Sequence, residues 1–491
     1  MSRIVVHGHF YQPPRENPWT GVIDPQPSAA PFHDWNERVH AECYRPNIAA
    51  NIVTQSGEQT VNNLECMSFN FGPTLLRWLE VTHPMTYEAI LQADQAGVDR
   101  LGHGNALAQA FHHTILPLSP TREVRTEVRW GIADFHFRFG RPPEGMWLPE
   151  TAANARVLSV LIEEDIDFTI LAPNQAARWQ DGSGEWHDGP IDTTRPYRFV
   201  HPDGSDRSLA VWFYDGPRSR AIAFENVTSS AQRFLSHLDG GHPGDGIVHV
   251  ATDGETYGHH QKWADICLAY ALFVEASRNG VELSNYPAEL ERARPEAKVE
   301  LVPGEGTSWS CAHGVGRWKE DCGCSTGGEG GWGEDWNQRW RAPLREGLEI
   351  LRESADETYE RLGSHLLNDP WGARDHYVDV VLGARTLPDF LAGEASGPLD
   401  PVDTEIATRL LAIQESSMAM FTSCGWFFSD VGGIETVQIL RYAARTLDLL
   451  KSLDQPVPEG EFLDTLGRAR SNDPRKGTAA DIFATISSPR P

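Results

Sequence analysis

The chain is 491 residues long and carries 69 acidic against 42 basic side chains, a formal net charge of −27. Such a field repels nucleic acid and anionic membrane surfaces, so neither is expected as a partner. With 40% apolar and 23% charged residues, the chain reads as a globular protein. Its length allows about three domains at ~150 residues each. Tryptophan is over-used, with 16 Trp against 11 Tyr and 6 Met. Flat amphipathic rings stack well on sugar rings, although large folds also bury tryptophan in their cores. The segment Met1–His7 lacks the apolar stretch of a secretory signal, and no apolar run reaches the ~20 residues of a membrane helix. Seven cysteines, an odd number, suit a reducing cytoplasm better than a disulfide framework.

In chain order, short apolar runs recur, and each ends in polar or glycine-rich residues. Ile4-Val5-Val6 leads to His7-Gly8-His9, and Gly145-Met146-Trp147-Leu148 leads to Pro149-Glu150. Phe168–Leu171, Leu209–Phe213 and Ile247–Ala251 follow, the last leading to Thr252-Asp253-Gly254-Glu255. Continuous apolar runs of this length predict strands buried on both faces of a parallel sheet. Helical patterns lie between them, over residues 122–139 and 153–164. Alternating strands and helices over roughly 300 residues predict an α/β barrel, with chemistry at the C-terminal ends of the strands. Residues 1–303 are assigned to this barrel. Residues 304–340, rich in Gly, Trp and Cys, read as a long substrate loop. Leu344, Leu348 and Leu351 open a helical domain over 341–453, and residues 454–491 are expected as an extended tail or linker.

Two carboxylates stand just after strands. Glu150 ends Trp147-Leu148-Pro149-Glu150, and Asp253 opens Asp253-Gly254-Glu255-Thr256-Tyr257-Gly258. A retaining glycosidase needs two carboxyl groups about 5–5.5 Å apart, one attacking the sugar carbon and one protonating the leaving oxygen. Strand-end residues on one barrel face can meet that spacing. Each carboxylate also has a plain structural role, Glu150 as a helix cap near Thr151 and Asp253 in a turn with Gly254. His7 and His9 share one side of an extended chain and can bind sugar hydroxyls, ligate a metal, or pack as a core pair. His103 lies in a second polar cluster, Gly102-His103-Gly104-Asn105.

These motifs together resemble glycoside hydrolase family 57. That family is marked by an N-terminal His-x-His followed by Gln-Pro, then Trp-x-Pro-Glu, then Asp-Gly-Glu-x-aromatic-Gly. They stand here in that order, from His7-Gly8-His9-Phe10-Tyr11-Gln12-Pro13 through Trp147–Glu150 to Asp253–Gly258, with Phe10 and Tyr11 inserted in the first. The resemblance implies a (β/α)7-type irregular barrel followed by an α-helical domain, and retention of configuration at α-glycosidic bonds. It implies Glu150 as nucleophile and Asp253 as general acid/base, with no cofactor required for catalysis. His7, His9 and Trp147 would line the sugar site. Beside the resemblance, His103, Glu255, Tyr257 and Trp426 are expected as further substrate contacts, with Trp309 and Trp318 of the loop stacking on sugar faces. The substrate expected is an oligo- or polysaccharide of α-glucan type, hydrolysed or transferred. A loop that excludes water favours transfer.

Cys311-Ala312-His313 and Cys322-Gly323-Cys324 form a further cluster. Three thiols and an imidazole suit a structural zinc, although spacings of one residue are not the usual two to four. A Cys322/Cys324 redox pair and a metal-free substrate loop are the other readings. Trp309, Trp318, Trp332, Trp336 and Trp340 crowd this segment and favour the substrate loop. Two other functions compete. A metal-dependent carbohydrate deacetylase would use His7 and His9 as metal ligands. A non-catalytic glucan-binding protein would keep the barrel without turnover.

Overall fold

A computed structural model of the chain describes residues 2–54, 57–238, 246–326 and 336–486. The described residues form two compact units. The first comprises residues 1–12, 25–109 and 138–304; the second comprises 13–24, 110–137 and 305–491.

The first unit is built on seven parallel strands, β1 (Arg3–Phe10), β2 (Ser68–Phe71), β3 (Ala108–Gln109), β4 (Met146–Trp147), β5 (Phe168–Leu171), β6 (Ser208–Phe213) and β7 (Ile247–Asp253). They close a circuit. β1 pairs with β2, and β2 bridges toward β3 through Phe69 and Ala106. β3 pairs with β4, and Gly145 bridges to Phe168 at the start of β5. β5 pairs with β6, and the Asp215 N–H just after β6 donates to the His249 carbonyl of β7 at 2.9 Å. β7 pairs with β1 along seven residues, from Arg3↔Ile247 to His9↔Asp253, and so closes the barrel. β1 is buried from Ile4 through Phe10 and β7 from Ile247 through Thr252, as expected of strands covered on both faces. The apolar runs at 4–6, 168–171, 209–213 and 247–251 all become strands. β2 and β3 escape the sequence reading, because β2 interleaves polar Ser68 and Asn70 with its aromatics and β3 is two residues long. β5 and β6 continue into a six-stranded sheet with Tyr197–Val200, Lys298–Leu301, Ala176–Gln180 and Trp186–Asp188.

The second unit is helical. Helix Arg341–Leu366 packs on Pro401–Ala419, which packs on Ile434–Ser452. The contiguous 1–303 boundary needs correction, since residues 13–24 and 110–137 belong to this unit. The cause lies in helix Thr121–Phe139. Its Trp130 is fully buried edge-on to Phe111, with their centroids 5.2 Å apart, and its Nε1 donates to the Arg374 carbonyl at 3.1 Å. The expected extended tail over 454–491 is also corrected. It contains helices Glu459–Leu466 and Ala479–Ile486, joined by Phe462 and Phe483, which are buried with ring centroids 5.1 Å apart. Apolar residues four apart (Phe462 and Leu466, and Ala479 and Phe483) give each helix a buried stripe that the Pro- and Gly-rich composition concealed. Residues 487–491 and Trp332 lie outside the described residues.

Candidate active site

Strand register assembles the site. His9 of β1 pairs with Asp253 of β7 on one side and with Asn70 of β2 on the other, so three functional side chains stand at one level of the barrel. His7, two residues earlier, faces the same side and meets Ser68 and Asn70. Its Nδ1 is 3.0 Å from Ser68 Oγ and its Nε2 is 3.1 Å from Asn70 Oδ1. Asn70 Nδ2 donates to His9 Nδ1 at 2.9 Å and to Gln109 Oε1 at 2.7 Å. An amide that donates to His9 Nδ1 assigns the proton of that ring to Nε2. Burial pushes both imidazoles down to about 3, and for His7 the neighbouring His9 adds to it, so both rings are neutral at physiological pH. The Trp147 ring stacks on both, with centroids 4.8 Å from His7 and 5.1 Å from His9.

Glu150 sits just beyond β4 in a turn that bends through the left-handed region, with φ of +58° at Glu150 and +48° at Thr151. Such conformations cost a non-glycine residue about 1–3 kcal/mol, and β-branched Thr151 tolerates them poorly. Gln175, fully buried, secures the turn. Its Nε2 donates to the Thr151 carbonyl at 2.8 Å, and its Oε1 accepts from the Thr151 hydroxyl at 2.9 Å and from the Ala172 N–H at 2.8 Å. The helix-cap role considered for Glu150 falls to Asn154, whose side chain accepts from Val157 N ahead of helix Ala155–Glu163.

Asp253 ends β7. Its side chain is open to solvent, yet its carboxyl group is set deep among protein atoms. Burial, and then the charge of Glu150, push it up to about 7. The two carboxylates therefore sense each other, and one holds a proton near neutrality. Tyr214, just beyond β6, is nearly buried and also feels the Asp253 charge. The rest of the Asp-Gly-Glu-x-Tyr-Gly motif forms a platform beneath Asp253. A Cβ on Gly254 would lie 2.3 Å from the Phe10 ring, and Gly258 has φ of +138° against the Glu42 carbonyl. Glu255 is buried; its Oε1 accepts from Tyr44 Oη at 2.6 Å and from the Tyr11 N–H at 3.0 Å.

Burial pushes Glu255 up to about 8, with Asp253 repulsion adding to it and the Tyr44 bond opposing. A carboxyl raised in the folded state holds its proton there while the unfolded chain releases it. Stability is therefore full below about 4.5 and falls as pH rises toward about 8. Glu255→Gln should abolish that pH-dependent loss and leave the fold intact. Glu255→Ala, which removes the acceptor of the Tyr44 hydroxyl and the Tyr11 N–H, should destabilise by about 1–3 kcal/mol at pH 5, with the deficit relative to wild type shrinking as pH rises. Urea unfolding of both variants between pH 5 and 9 measures this.

Several expected sugar-binding residues stand elsewhere. His103 precedes β3, at the strand ends opposite Glu150, where its ring nitrogens pair with Glu144 at 2.6 Å and Glu291 at 3.2 Å. Glu255 and Tyr257 are buried in the platform, and fully buried Trp147 acts on the site through His9. Trp318 and Trp426 are fully buried in the second unit. Trp426 stacks on Phe421, carries the Arg345 guanidinium 4.7 Å from its centroid, and donates from Nε1 to the Arg341 carbonyl. Buried rings packed in this way offer no face to a sugar. Trp309 is half-buried. Ser68, Asn70, Gln109 and Gln175 went unnoticed in the sequence. Polar Ser68 and Asn70 alternating with Phe69 and Phe71 were the available signal for the first two.

A family model described as Glycosyl hydrolase family 57 matches residues 15–301, more than half of the chain. The chain belongs to that family. A second, described as Domain of unknown function (DUF3536), matches residues 336–490. Alpha-amylase 1 of Dictyoglomus thermophilum is 24% identical over 136 residues, which is 28% of this chain and 18% of that protein. Among solved structures, the exo-type maltose-forming amylase of Pyrococcus sp. ST04 superposes with a TM-score of 0.71 at 14% identity, covering 95% of this chain and 82% of that one. The GH57-type branching enzyme of Pyrococcus horikoshii gives 0.54 at 14% identity, with 100% and 97% covered. The 4-alpha-glucanotransferase of Thermococcus litoralis gives 0.52 at 15% identity, with 92% and 60% covered. At these identities the likeness concerns the fold, and it agrees with the seven-strand circuit.

Proposed function

We propose that this chain is a retaining glycosidase or transglycosylase acting on α-glucan oligo- or polysaccharides. The observation that carries the reading is the Glu150–Asp253 pair, two carboxylates at strand C-termini, with burial and then the charge of Glu150 raising Asp253 to about 7. Glu150 attacks the anomeric carbon as the glycosidic C–O bond breaks, and Asp253 gives its proton to the leaving oxygen. In the second step Asp253 takes a proton from water or an acceptor hydroxyl. That oxygen attacks the anomeric carbon and releases the Glu150 carboxylate. The neutral His9, with its proton on Nε2, is suited to donate to a sugar oxygen without adding charge. Family membership and the amylase, branching and glucanotransferase activities of the similar proteins support the substrate class.

The reaction draws on carboxylates and calls for no cofactor. His7 is a poor metal ligand for a deacetylase, because both its nitrogens are engaged by Ser68 and Asn70. Among the described residues, none of the groupings able to hold a metal includes His7 or His9. An odd count of seven cysteines suits a reducing compartment such as the cytoplasm. The test is a panel of α-glucans, with anomeric configuration and product length followed by NMR. Products of retained configuration are expected, with chain lengthening wherever transfer competes. Inverted products, or binding without turnover, would refute the proposal.

A further inference from the structure

In the second unit, three thiols and an imidazole converge. Cys311 Sγ and Cys322 Sγ are 3.8 Å apart, and Cys324 Sγ and His313 Nδ1 are 3.5 Å apart. All four ligand atoms lie within 4.8 Å of one another. Zinc binds thiolate at ~2.3 Å and imidazole at ~2.0–2.1 Å, and a tetrahedron with those bonds has S···S edges of about 3.8 Å and S···N edges of about 3.5 Å. The two separations match the two edges. A disulfide would need its sulfurs at ~2.05 Å.

A second observation concerns charge. Arg341, at the start of helix Arg341–Leu366, is fully buried. Its Nη1 donates to the Cys324 carbonyl at 2.7 Å and its Nη2 to the Phe428 carbonyl at 3.5 Å, while its Nε is without a hydrogen-bond partner. Arg317, also buried, donates to the carbonyls of Phe427 and Ser310. Carbonyls satisfy hydrogen bonds but leave a buried cation without a counter-charge. The groups of opposite sign that Arg341 senses are Cys311, Cys322 and Cys324. Zinc with three thiolates and one neutral imidazole carries a net charge of −1, equal and opposite to one guanidinium.

We propose that Cys311, His313, Cys322 and Cys324 form a structural zinc site whose negative charge neutralises the buried Arg341. With four protein ligands the site is closed, so the metal holds structure and performs no catalysis. It ties Cys311 and His313 to Cys322 and Cys324 across a stretch whose regular structure among the described residues is one short turn, Gly316–Trp318, while Arg317 and Thr326 bond that stretch to Phe427 and Ser429. The exposed His313 and half-buried Cys322 and Cys324 leave the site open to chelators.

The full chain, purified from zinc-supplied cells without chelator, should contain one zinc per molecule by mass spectrometry of the metal. Cys311→Ser and Cys324→Ser should each lose it, while Cys66→Ser, outside the cluster, should keep it. If the two variants fail to fold, the wild type still decides. After chelation removes the colourless zinc, added cobalt(II) should produce the intense visible absorption of tetrahedral thiolate coordination. Folded wild type without zinc that shows no such band with cobalt, a Cys311–Cys322 disulfide in peptide mapping, or zinc retained in both variants would overturn the proposal. Turnover plays no part in the readout, so the fate of the glycosidase reading is separate.

Discussion

Glu150→Gly should lose turnover by on the order of 10⁴-fold or more and yet unfold at a higher temperature than the wild type. Two costs vanish together in this variant. Glycine adopts φ of +58° freely, which relieves about 1–2 kcal/mol of backbone strain at this position. Loss of the largely buried carboxylate also removes its repulsion of Asp253. Gain of stability with loss of function is the mark of a residue held under strain for chemistry. A residue that merely shapes the turn would behave the opposite way, its removal lowering stability while activity survived. Glu150→Ala supplies a further check. The space vacated by the carboxylate admits a small anion such as azide, which attacks from the nucleophile's side and gives a glycosyl azide of inverted configuration. Initial rates, thermal unfolding and product configuration measure the three outcomes, and substantial turnover in either variant without azide removes the nucleophile assignment. Gln175→Ala should fall between, with kcat down about 10- to 100-fold and KM little changed, because it frees the Thr151 carbonyl and lets the turn relax.

The barrel was legible because burial on both faces leaves a simple trace. Strands such as Leu209–Phe213 stay apolar throughout, and the polar residues that follow them mark the catalytic end of the barrel. The site was legible only where a side chain breaks that trace abruptly, as at His7, His9, Glu150 and Asp253. Residues that act through hydrogen bonds from a neighbouring strand left little mark. Asn70 joins His7, His9 and Gln109, and Gln175 pins Thr151 across 24 positions of chain. Their roles depend on which strands adjoin, which periodicity does not report. Motif membership misled in the opposite direction. Glu255, Tyr257 and Trp147 belong to the motifs because they pack the support of Asp253 and His9. The tryptophan excess divides the same way, with Trp130, Trp318, Trp340 and Trp426 spent on core. Helix Thr121–Phe139 shows why a contiguous domain boundary failed. A βα connection whose apolar side finds another helical core leaves the barrel while its flanking strands remain in it.

Asp253 should set the alkaline limb of the rate profile, with kcat/KM falling tenfold per pH unit above about 7. The proton must be on Asp253 to reach the leaving oxygen, and its two supports are burial and the Glu150 charge. Glu150→Gln removes the second, so the Asp253 pKa should drop in that variant, visible in carboxyl ¹³C chemical shifts even without turnover. Asp253→Asn should reduce turnover of α-glucans by about 10²–10⁴-fold. With an aryl α-glucoside whose phenol is acidic, glycosylation needs no proton, and the first step should recover in a burst followed by slow release of the glycosyl-enzyme. The stability linkage has a fixed sign. The folded carboxyl keeps its proton to about 7 while the unfolded one releases it near 3.8, so wild-type stability declines as pH rises through that window. Asp253→Asn lacks the decline, and its Tm relative to wild type should be higher at pH 8 than at pH 4. A limb unmoved in position and slope by Asp253→Asn would assign the proton to another group. Tyr214 and Glu255, which both feel the Asp253 charge, would then be the residues to test, and a limb displaced in Glu255→Gln but not in Tyr214→Phe would single out Glu255.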